Sequence, residues 1–242
     1  MQSNRQQTAL AIQSLRGNLI VSSQASDGEP LCAPEHIFAM AQSALNGGAR
    51  ALRLEGADNI EFARKRTDVC IIGLTKCDTT PEAERLSSVY ITPTFDDADK
   101  LAAAGADIIA MDCTLRPRPG GWTVNEIVDR IHLELRKPVW ADVATFDEAM
   151  AAEMAGVDII STTLSGYTKE TFDAEKTGPD FALLERMVKS LKIPVVLEGK
   201  VWYPEDVRRG FELGAYAVVV GSAITRPQLI TERFVKAIPK VG

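Results

Sequence analysis

The stretches Val195-Val196-Leu197-Glu198-Gly199-Lys200 and Val218-Val219-Val220-Gly221-Ser222 decide the fold. Each begins with an apolar, mostly β-branched run without polar alternation, which is typical of a strand buried on both faces of a parallel sheet. Each run leads to a glycine, whose missing side chain lets backbone N–H groups approach an anion. Two such strands near the carboxyl terminus match the phosphate cup after strands 7 and 8 of a (β/α)8 barrel. A phosphorylated small molecule is therefore the first candidate ligand, and two tight turns without a ligand are the alternative.

The composition is that of an ordinary globular chain. Its 242 residues are 45% apolar and 25% charged, and they suit a single barrel domain over residues 1–242. The net charge of −6 is not gathered into blocks, so we expect neither nucleic acid nor a membrane as a partner. The polar start lacks a signal-peptide core, and no two of the four cysteines form a CxxC pair. A cytoplasmic location is the simplest expectation.

A loose repeat of apolar runs and helix-like stretches extends along the chain. Eight such units predict βαβ connections and a parallel sheet, and their number favours an α/β single (β/α)8 TIM barrel over a doubly wound sheet. The predicted strands are Leu19–Ser22, Ala51–Leu54, Cys70–Leu74, Asp107–Met111, Val139–Ala141, Asp158–Ser161, Val195–Leu197 and Ala217–Val220. Helix-like stretches lie between them, for example Pro34–Leu45, Ala98–Ala104, Val124–Leu135, Phe146–Met154, Phe181–Leu191, Glu205–Leu213 and Leu229–Ala237.

Several details refine this barrel. A glycine before four of the strands predicts a helix that ends in a left-handed turn; these are Gly48, Gly105, Gly156 and Gly214. Residues 1–17 form an N-terminal extension, in which Thr8–Leu15 predicts a short helix covering either the barrel bottom or a partner subunit, so a homodimer is one assembly that the sequence allows. The long stretch Lys76–Thr94 includes Val89–Thr92, which could add a strand. No GxGxxG follows a strand, so we expect no dinucleotide cofactor.

Polar side chains cluster where the predicted strands end, which is where barrel enzymes place their catalytic groups. They are Gln24, Arg53, Glu55, Lys76, Asp78, Asp112, Asp142, Thr163, Glu198, Lys200, Ser222 and Arg226. Any one of them alone is compatible with a solvent-facing or structural role. Together they mix cations, carboxylates and an amide around one mouth, as proton transfer on an anionic substrate requires.

The remaining residue types narrow the chemistry. The two histidines, His36 and His132, fall in helix-like stretches, so we expect neither a metal site nor a histidine base. Cys77 and Cys113 lie near strand ends, but neither has a histidine nearby in sequence to activate it as a nucleophile. Lys76 and Glu198 are left as the leading proton-transfer pair, since burial and a nearby arginine lower the pKa of a lysine and burial raises that of a glutamate.

The strand-end segments resemble a known family. The matching strings include Arg53-Leu54-Glu55-Gly56, Ile72-Gly73-Leu74-Thr75-Lys76, Thr162-Thr163-Leu164-Ser165-Gly166-Tyr167-Thr168 and Gly221-Ser222-Ala223-Ile224-Thr225-Arg226. They resemble the N-acetylmannosamine-6-phosphate 2-epimerase family of bacterial sialic acid breakdown, and the similarity extends over nearly the whole chain from Gly17. The resemblance implies a (β/α)8 barrel and an isomerase that inverts the acetamido-bearing carbon without metal or cofactor.

The resemblance also implies roles for single residues. Lys76 and Glu198 would be catalytic. Contacts to an amino-sugar phosphate would come from Gln24, Arg53, Asp142 and Arg226. The phosphate would be held around Gly199, Lys200, Gly221 and Ser222.

Three positions depart from the family pattern, and two other functions stay open. Lys200 and Cys77 stand where the family usually has arginine, and Ser23 stands where cysteine is common. Lysine keeps the charge of arginine but loses its bidentate fork. The alternatives are a Schiff-base lyase or aldolase acting through Lys76, and a non-catalytic barrel that binds a sugar phosphate.

Overall fold

The computed structural model describes residues 9–26, 28–76, 84–173, 175 and 177–239. Eight strands pair in parallel and in chain order, and the last pairs with the first to close a barrel. The strands are β1 Leu19–Ser23, β2 Ala51–Glu55, β3 Cys70–Leu74, β4 Ile108–Asp112, β5 Val139–Asp142, β6 Ile159–Ser161, β7 Val195–Leu197 and β8 Ala217–Val220. The predicted (β/α)8 barrel is confirmed, and the predicted strand ends differ from these by no more than one residue.

Helices follow the strands on the outside of the barrel. They are α1 Pro34–Asn46, α2 Ala57–Arg64, α3 Phe95–Ala104, α4 Val124–Arg130, α5 Phe146–Met154, α6 Phe181–Ser190, α7 Pro204–Glu212, α8 Ser222–Thr225 and α9 Pro227–Lys236. A 3₁₀ turn spans Pro119–Gly121, and Ile131–Leu135 continues α4 as a π-helical turn. Threonine N-caps close reciprocal capping boxes on α3, α4 and α5, which satisfies backbone donors that a helix start otherwise leaves unpaired.

One helix prediction needs correction. Helix α2 was expected only as one of the connections between strands, because its eight residues bury only Ile60 and Ala63, too few for a visible helical period. Val124–Leu135 was predicted as one helix, whereas its second half is the π-helical turn. The predicted glycine turns are confirmed, with φ of +107°, +105°, +86° and +94° at Gly48, Gly105, Gly156 and Gly214.

The N-terminal segment closes the bottom of the barrel. Residues 9–14 are helical, and Leu15 is buried in the apolar cluster that fills the barrel interior around Ile20 and Trp140. Tyr216, just before β8, donates its hydroxyl to the Ile12 carbonyl oxygen at 3.3 Å and accepts a backbone hydrogen bond from Gly17 at 2.8 Å. Of the two roles predicted for this helix, the structure shows cover of the barrel bottom. Thr8 lies outside the described residues.

The stretch after β3 is shaped by one bridge rather than by an added strand. Ile91 pairs with Lys76 in an isolated antiparallel bridge, and Thr92 returns a hydrogen bond to the Thr75 carbonyl oxygen at 3.0 Å. The predicted strand over Val89–Thr92 is therefore wrong, because this segment has one bridging partner and no ladder. The bridge places Tyr90 beside Lys76 at the barrel mouth. Within the described part of the chain, no helix combines the length and apolarity needed to cross a bilayer.

Candidate active site

A cavity of about 360 Å³ opens at the carboxyl ends of the strands. Nine of the ten site residues predicted from the sequence line it: Gln24, Arg53, Lys76, Glu198, Gly199, Lys200, Gly221, Ser222 and Arg226. The tenth, Asp142, lies outside the lining. The cavity is also lined by three aromatic residues that were not among the predicted site residues: Tyr90, Tyr167 and Trp202. Only their position near strand ends could have indicated them.

Arg53 forms the floor of the cavity. Its Nη2 donates to Asp142 Oδ2 at 2.6 Å, and its Nη1 lies 3.2 Å from Glu198 Oε2. Nε and Nη1 make no hydrogen bond within the described part of the chain. A buried guanidinium with unused donors favours an anionic or oxygen-rich ligand above it.

Asp142 is fully buried behind Arg53. Its Oδ1 accepts hydrogen bonds from Trp140 Nε1 at 3.1 Å, Ser161 Oγ at 3.0 Å and Thr163 Oγ1 at 2.8 Å. With Oδ2 on Arg53, both oxygens are engaged by the protein. The direct substrate contact expected of Asp142 stays a prediction, and in this geometry the carboxylate orients Arg53.

Glu198 follows β7 and is held at both its backbone and its carboxyl group. Thr162 Oγ1 accepts from the Glu198 N–H at 3.1 Å and donates to its carbonyl oxygen at 2.8 Å, while Thr163 Oγ1 lies within hydrogen-bond distance of Oε2, at 2.9 Å. Burial raises the pKa of Glu198 to about 7; the Arg53 charge opposes this rise and the Asp142 charge adds to it. A carboxyl group with such a pKa can act as an acid or a base near neutrality.

Gly199 lets the chain turn at this point. Its φ is +97°, and a Cβ there would lie 3.2 Å from the Thr163 carbonyl oxygen. A side chain would therefore be both strained and crowded. The turn carries the backbone from Glu198 to Lys200, which also lines the cavity.

Lys76 projects from the end of β3 into the cavity and is exposed there. Its pKa is lowered, chiefly because the surrounding protein atoms displace water from the ammonium; Arg53 and Arg226 lower it further, whereas Glu55 and Glu198 oppose the change. Because cavity water still reaches the side chain, a ligand that displaces this water strengthens the effect. A lysine in such a setting is suited to act as a neutral base.

The glycine-ended β8 leads into a short turn of helix. Helix α8 begins at Ser222, and Thr225 Oγ1 donates to the Ser22 carbonyl oxygen at 2.8 Å. Gly221 packs against β1, since a Cβ there would lie 3.3 Å from Ser22 Cβ. The first N–H groups of a helix have no partner within it, and Ser222, where this helix begins, lines the cavity. Gln24 donates to Ser22 Oγ at 2.7 Å beside it.

Two cations flank this end of the cavity. Arg226 forms an ion pair with Glu29. No sequence pattern predicts this pairing. Lys200 has a left-handed backbone at φ +56° and places Nζ 5.4 Å from the centre of the Tyr167 ring. It fits against Gly166, where a Cβ would lie 2.7 Å from Nζ.

Comparisons with known proteins agree on one family. The sequence profile of a family described as putative N-acetylmannosamine-6-phosphate epimerase matches residues 37–240. A Clostridioides difficile protein named putative N-acetylmannosamine-6-phosphate 2-epimerase is 47% identical over 224 residues, which are 93% of this chain and 97% of that protein. A protein of the same name from Caldanaerobacter subterraneus is 46% identical over 228 residues, or 94% and 93% of the two chains.

A solved structure gives the same answer. The structure of the N-acetylmannosamine-6-phosphate 2-epimerase from Clostridium perfringens matches with a TM-score of 0.87 at 41% identity, over 94% of this chain and 96% of that one. This chain belongs to the N-acetylmannosamine-6-phosphate epimerase family. The resemblance seen in the sequence is confirmed, and with it the isomerase class.

Several other residues that were considered for a functional role lie outside the cavity of this epimerase family member. Asp112 is buried and pairs with Arg116 at 2.6 Å, and burial raises the pKa of the Cys113 thiol, which makes it a poor nucleophile. His132 bonds Asp158 at 2.9 Å, on the strand-start side of β6. Cys77 and the nearby Asp78 lie outside the described residues. Across the described ranges, no three His, Cys, Asp or Glu side chains are grouped to hold a metal ion.

Proposed function

We propose that this chain interconverts N-acetylmannosamine 6-phosphate and N-acetylglucosamine 6-phosphate, within sialic acid breakdown. The proton on the acetamido-bearing carbon is removed and returned on the opposite face. The observation that carries this proposal is the meeting of Lys76 and Glu198 around Arg53 in one cavity. Membership of the epimerase family supports the choice of substrate.

The proposed chemistry begins with the open-chain sugar. The carbon that inverts is adjacent to the aldehyde, so loss of its proton gives an enolate whose negative charge moves to oxygen. A fixed cation stabilises such a charge as it forms. Arg53 suits this task, because its guanidinium is held by Asp142 and retains unused donors at the cavity floor.

Lys76 and Glu198 divide the proton transfer in this proposal. The lowered pKa of Lys76 favours the neutral amine that removes a proton, and the raised pKa of Glu198 favours the carboxyl group that supplies one. Lysine and glutamate need no metal ion for these steps. We therefore propose a metal-independent reaction.

The phosphate lies, in this proposal, at the glycine-ended strands. Gly199 and Gly221 allow close backbone approach, Ser222 begins α8, and Lys200 and Arg226 supply positive charge. Gln24, on the same side, would contact the sugar. The phosphate, which anchors the substrate, would then bind in a different part of the cavity from the carbon that reacts.

We also propose that the chain forms a homodimer and works in the cytoplasm. Helix α9 buries none of its residues, and Phe234, Val235 and Ile238 are exposed near its end. A grouped apolar surface of this kind is typical of a protein contact. Light scattering coupled to size exclusion is expected to give twice the chain mass, and a monomer at micromolar concentration would contradict the dimer.

Proton exchange in heavy water tests the reaction directly. The enzyme is incubated with N-acetylmannosamine 6-phosphate in D₂O, with and without EDTA, and followed by NMR. We expect the epimer to appear with deuterium at the acetamido carbon in both samples. Absence of both signals would overturn the proposed function, and loss of activity with EDTA alone would overturn metal independence.

Substitutions of Lys76 test whether this lysine is the base that removes the proton. Lys76→Ala and Lys76→Arg are expected to lower exchange by about 10²–10⁴-fold, because neither offers a neutral amine. Lys65→Ala removes an exposed lysine that directly follows α2 and pairs with Glu61 on the surface, and it serves as the matched control with wild-type exchange. Equal exchange in Lys76→Ala and Lys65→Ala would exclude Lys76.

One alternative shares the same lysine. An accessible amine with a lowered pKa also suits Schiff-base formation, as in a lyase or aldolase. Borohydride trapping with a keto-sugar phosphate separates the two functions. We expect no stable adduct on Lys76, whereas a mass increase at this residue would favour the lyase.

A further inference from the structure

The Thr163 hydroxyl stands between three oxygens at hydrogen-bond distance. Its Oγ1 lies 2.9 Å from Glu198 Oε2, 2.8 Å from Asp142 Oδ1 and 2.6 Å from Ser161 Oγ. Two of these neighbours are carboxylate oxygens, which accept hydrogen bonds when ionised. A threonine hydroxyl has one proton to donate, so it cannot serve both carboxylates at once.

The charge of Glu198 decides which carboxylate receives that proton. When Glu198 is ionised, Oε2 needs a donor, and Thr163 is the hydroxyl that reaches it. When Glu198 is protonated on Oε2, it becomes the donor, and Thr163 accepts this bond while giving its own proton to Asp142. The Ser161 hydroxyl, which is buried, can then donate to the second lone pair of Thr163.

Asp142 tolerates the loss of one donor. Its Oδ1 keeps the Trp140 indole at 3.1 Å, and its Oδ2 keeps Arg53 at 2.6 Å. Thr163 can therefore turn away without leaving a buried carboxylate unpaired, which would be costly. The network has two complete arrangements, one for each protonation state of Glu198.

We propose that Thr163 is a positioning residue whose hydroxyl turns from Asp142 to Glu198 when Glu198 gives up its proton, and turns back when the proton returns. The turn is a rotation about the Thr163 Cβ–Oγ1 bond, and no covalent bond changes at Thr163. The proton that leaves Glu198 passes to the enolate carbon of the substrate. This inference rests on the proposed function, since it assigns that reaction a residue outside the predicted pair.

Other charged or titratable groups face Glu198 from neighbouring elements. They are Arg53 from β2, Lys76 after β3, Asp142 from β5 and Tyr167 after β6. Among these neighbours, Thr163 supplies the hydrogen bond that can follow the charge. Removing its hydroxyl should therefore destabilise the ionised form of Glu198 more than the protonated form, because a hydrogen bond to a charged group is the stronger of the two.

Infrared spectroscopy reads this effect without requiring turnover. The carbonyl stretch of protonated Glu198 is identified as the band missing from Glu198→Gln and is followed against pH in the ligand-free enzyme. In Thr163→Val the pH at which the band is half lost should rise by about one unit, since a hydrogen bond to a charged group is worth about a tenfold change. Thr163→Ser, which keeps the hydroxyl, should match wild type.

Kinetics supply the second measurement. Thr163→Val should lower kcat about tenfold and change KM less than about twofold, and one limb of its pH profile should move to higher pH. Thr162→Val is the matched control, because its hydroxyl holds the backbone of Glu198 rather than the carboxyl group. It should lower the melting temperature and leave the infrared midpoint in place.

The outcomes separate this inference from the proposed function. An unchanged infrared midpoint in Thr163→Val, or an equal shift in Thr163→Ser, would overturn the turning hydroxyl even in an active enzyme. A shift of the midpoint in Thr163→Val, restored in Thr163→Ser, supports it. If wild type fails to exchange deuterium, the proposed function falls while the infrared result still decides whether Thr163 follows the charge of Glu198.

Discussion

Arg53 Nη2 and Asp142 Oδ2 lie 2.6 Å apart, with side-chain exposures of 1% and 0%. The pair joins β2 to β5 across the barrel interior, and the Arg53 guanidinium also lies 5.6 Å from the centre of the Trp140 ring. Two charges withdrawn from water in this way depend on each other, because either alone would be a buried, uncompensated charge. The position of the cavity floor is thus set from inside the barrel.

Asp142→Asn tests this dependence. The free energy of unfolding, measured by urea denaturation, should fall by about 3 kcal/mol because Arg53 loses its buried counter-charge. Since the Asp142 charge raises the pKa of Glu198, the infrared midpoint of Glu198 should move to lower pH. Glu61→Gln breaks a surface pair and should leave both measurements unchanged. A stable Asp142→Asn variant with an unmoved Glu198 would contradict the coupling.

Glu198→Gln should separate turnover from binding. Glutamine keeps the shape of the side chain but neither gives nor takes the proton, so kcat should fall by about 10²–10⁴-fold. The dissociation constant for the substrate, measured by titration calorimetry, should stay within a few-fold of wild type. Wild-type kinetics in this variant would show that Glu198 is not the partner of Lys76.

Lys200 combines a charge with a backbone conformation that favours glycine. At its φ of +56°, a residue with a Cβ costs about 1 kcal/mol more than glycine. Lys200→Gly should therefore unfold at higher denaturant than Lys200→Ala, while both raise KM for the phosphorylated substrate because both lose the cation. Lys200→Arg keeps the positive charge and should keep KM near wild type. Equal stability of the glycine and alanine variants would contradict the backbone argument.

The pair of His132 and Asp158 should make stability depend on pH. The hydrogen bond that His132 donates to Asp158 raises the pKa of His132 above 6.5, although burial opposes it. A raised pKa means that the native state favours the proton, so this stabilisation is complete below pH 6.5 and is lost as pH rises through the folded value. Unfolding free energies at pH 5.5 and 8.5 should differ less in His132→Asn than in wild type. His36→Asn, on the exposed side of α1, should keep the wild-type difference.

The strand ends could be predicted from sequence because their signals are local. An unalternating apolar run marks a strand buried on both faces, and the next polar residue must then lie at the mouth, as Lys76 and Glu198 do. The contacts of a side chain behind the mouth depend on residues that are distant in the sequence. Asp142 stands at the end of β5, yet it is buried because Trp140, Ser161 and Arg53 surround it.

Partners far apart in the chain were the hardest to foresee. Glu29 is 197 residues from Arg226, and nothing in either segment indicates the other. Tyr90 was placed in a strand because its β-branched and aromatic neighbours favour one, but the fold leaves this segment one bridge to Lys76. Pairings of this kind are set by the closed barrel rather than by any short stretch.

The seam between β1 and β8 gives the chain a late folding step. Ile20 pairs with Val219 there, Tyr216 reaches back to Ile12 across 204 residues, and Thr225 reaches Ser22 across 203. Contacts of such separation cannot form until both β1 and β8 have been synthesised. The cavity wall at Gly221 is built only when β8 has joined β1. Catalytic competence therefore follows closure of the barrel.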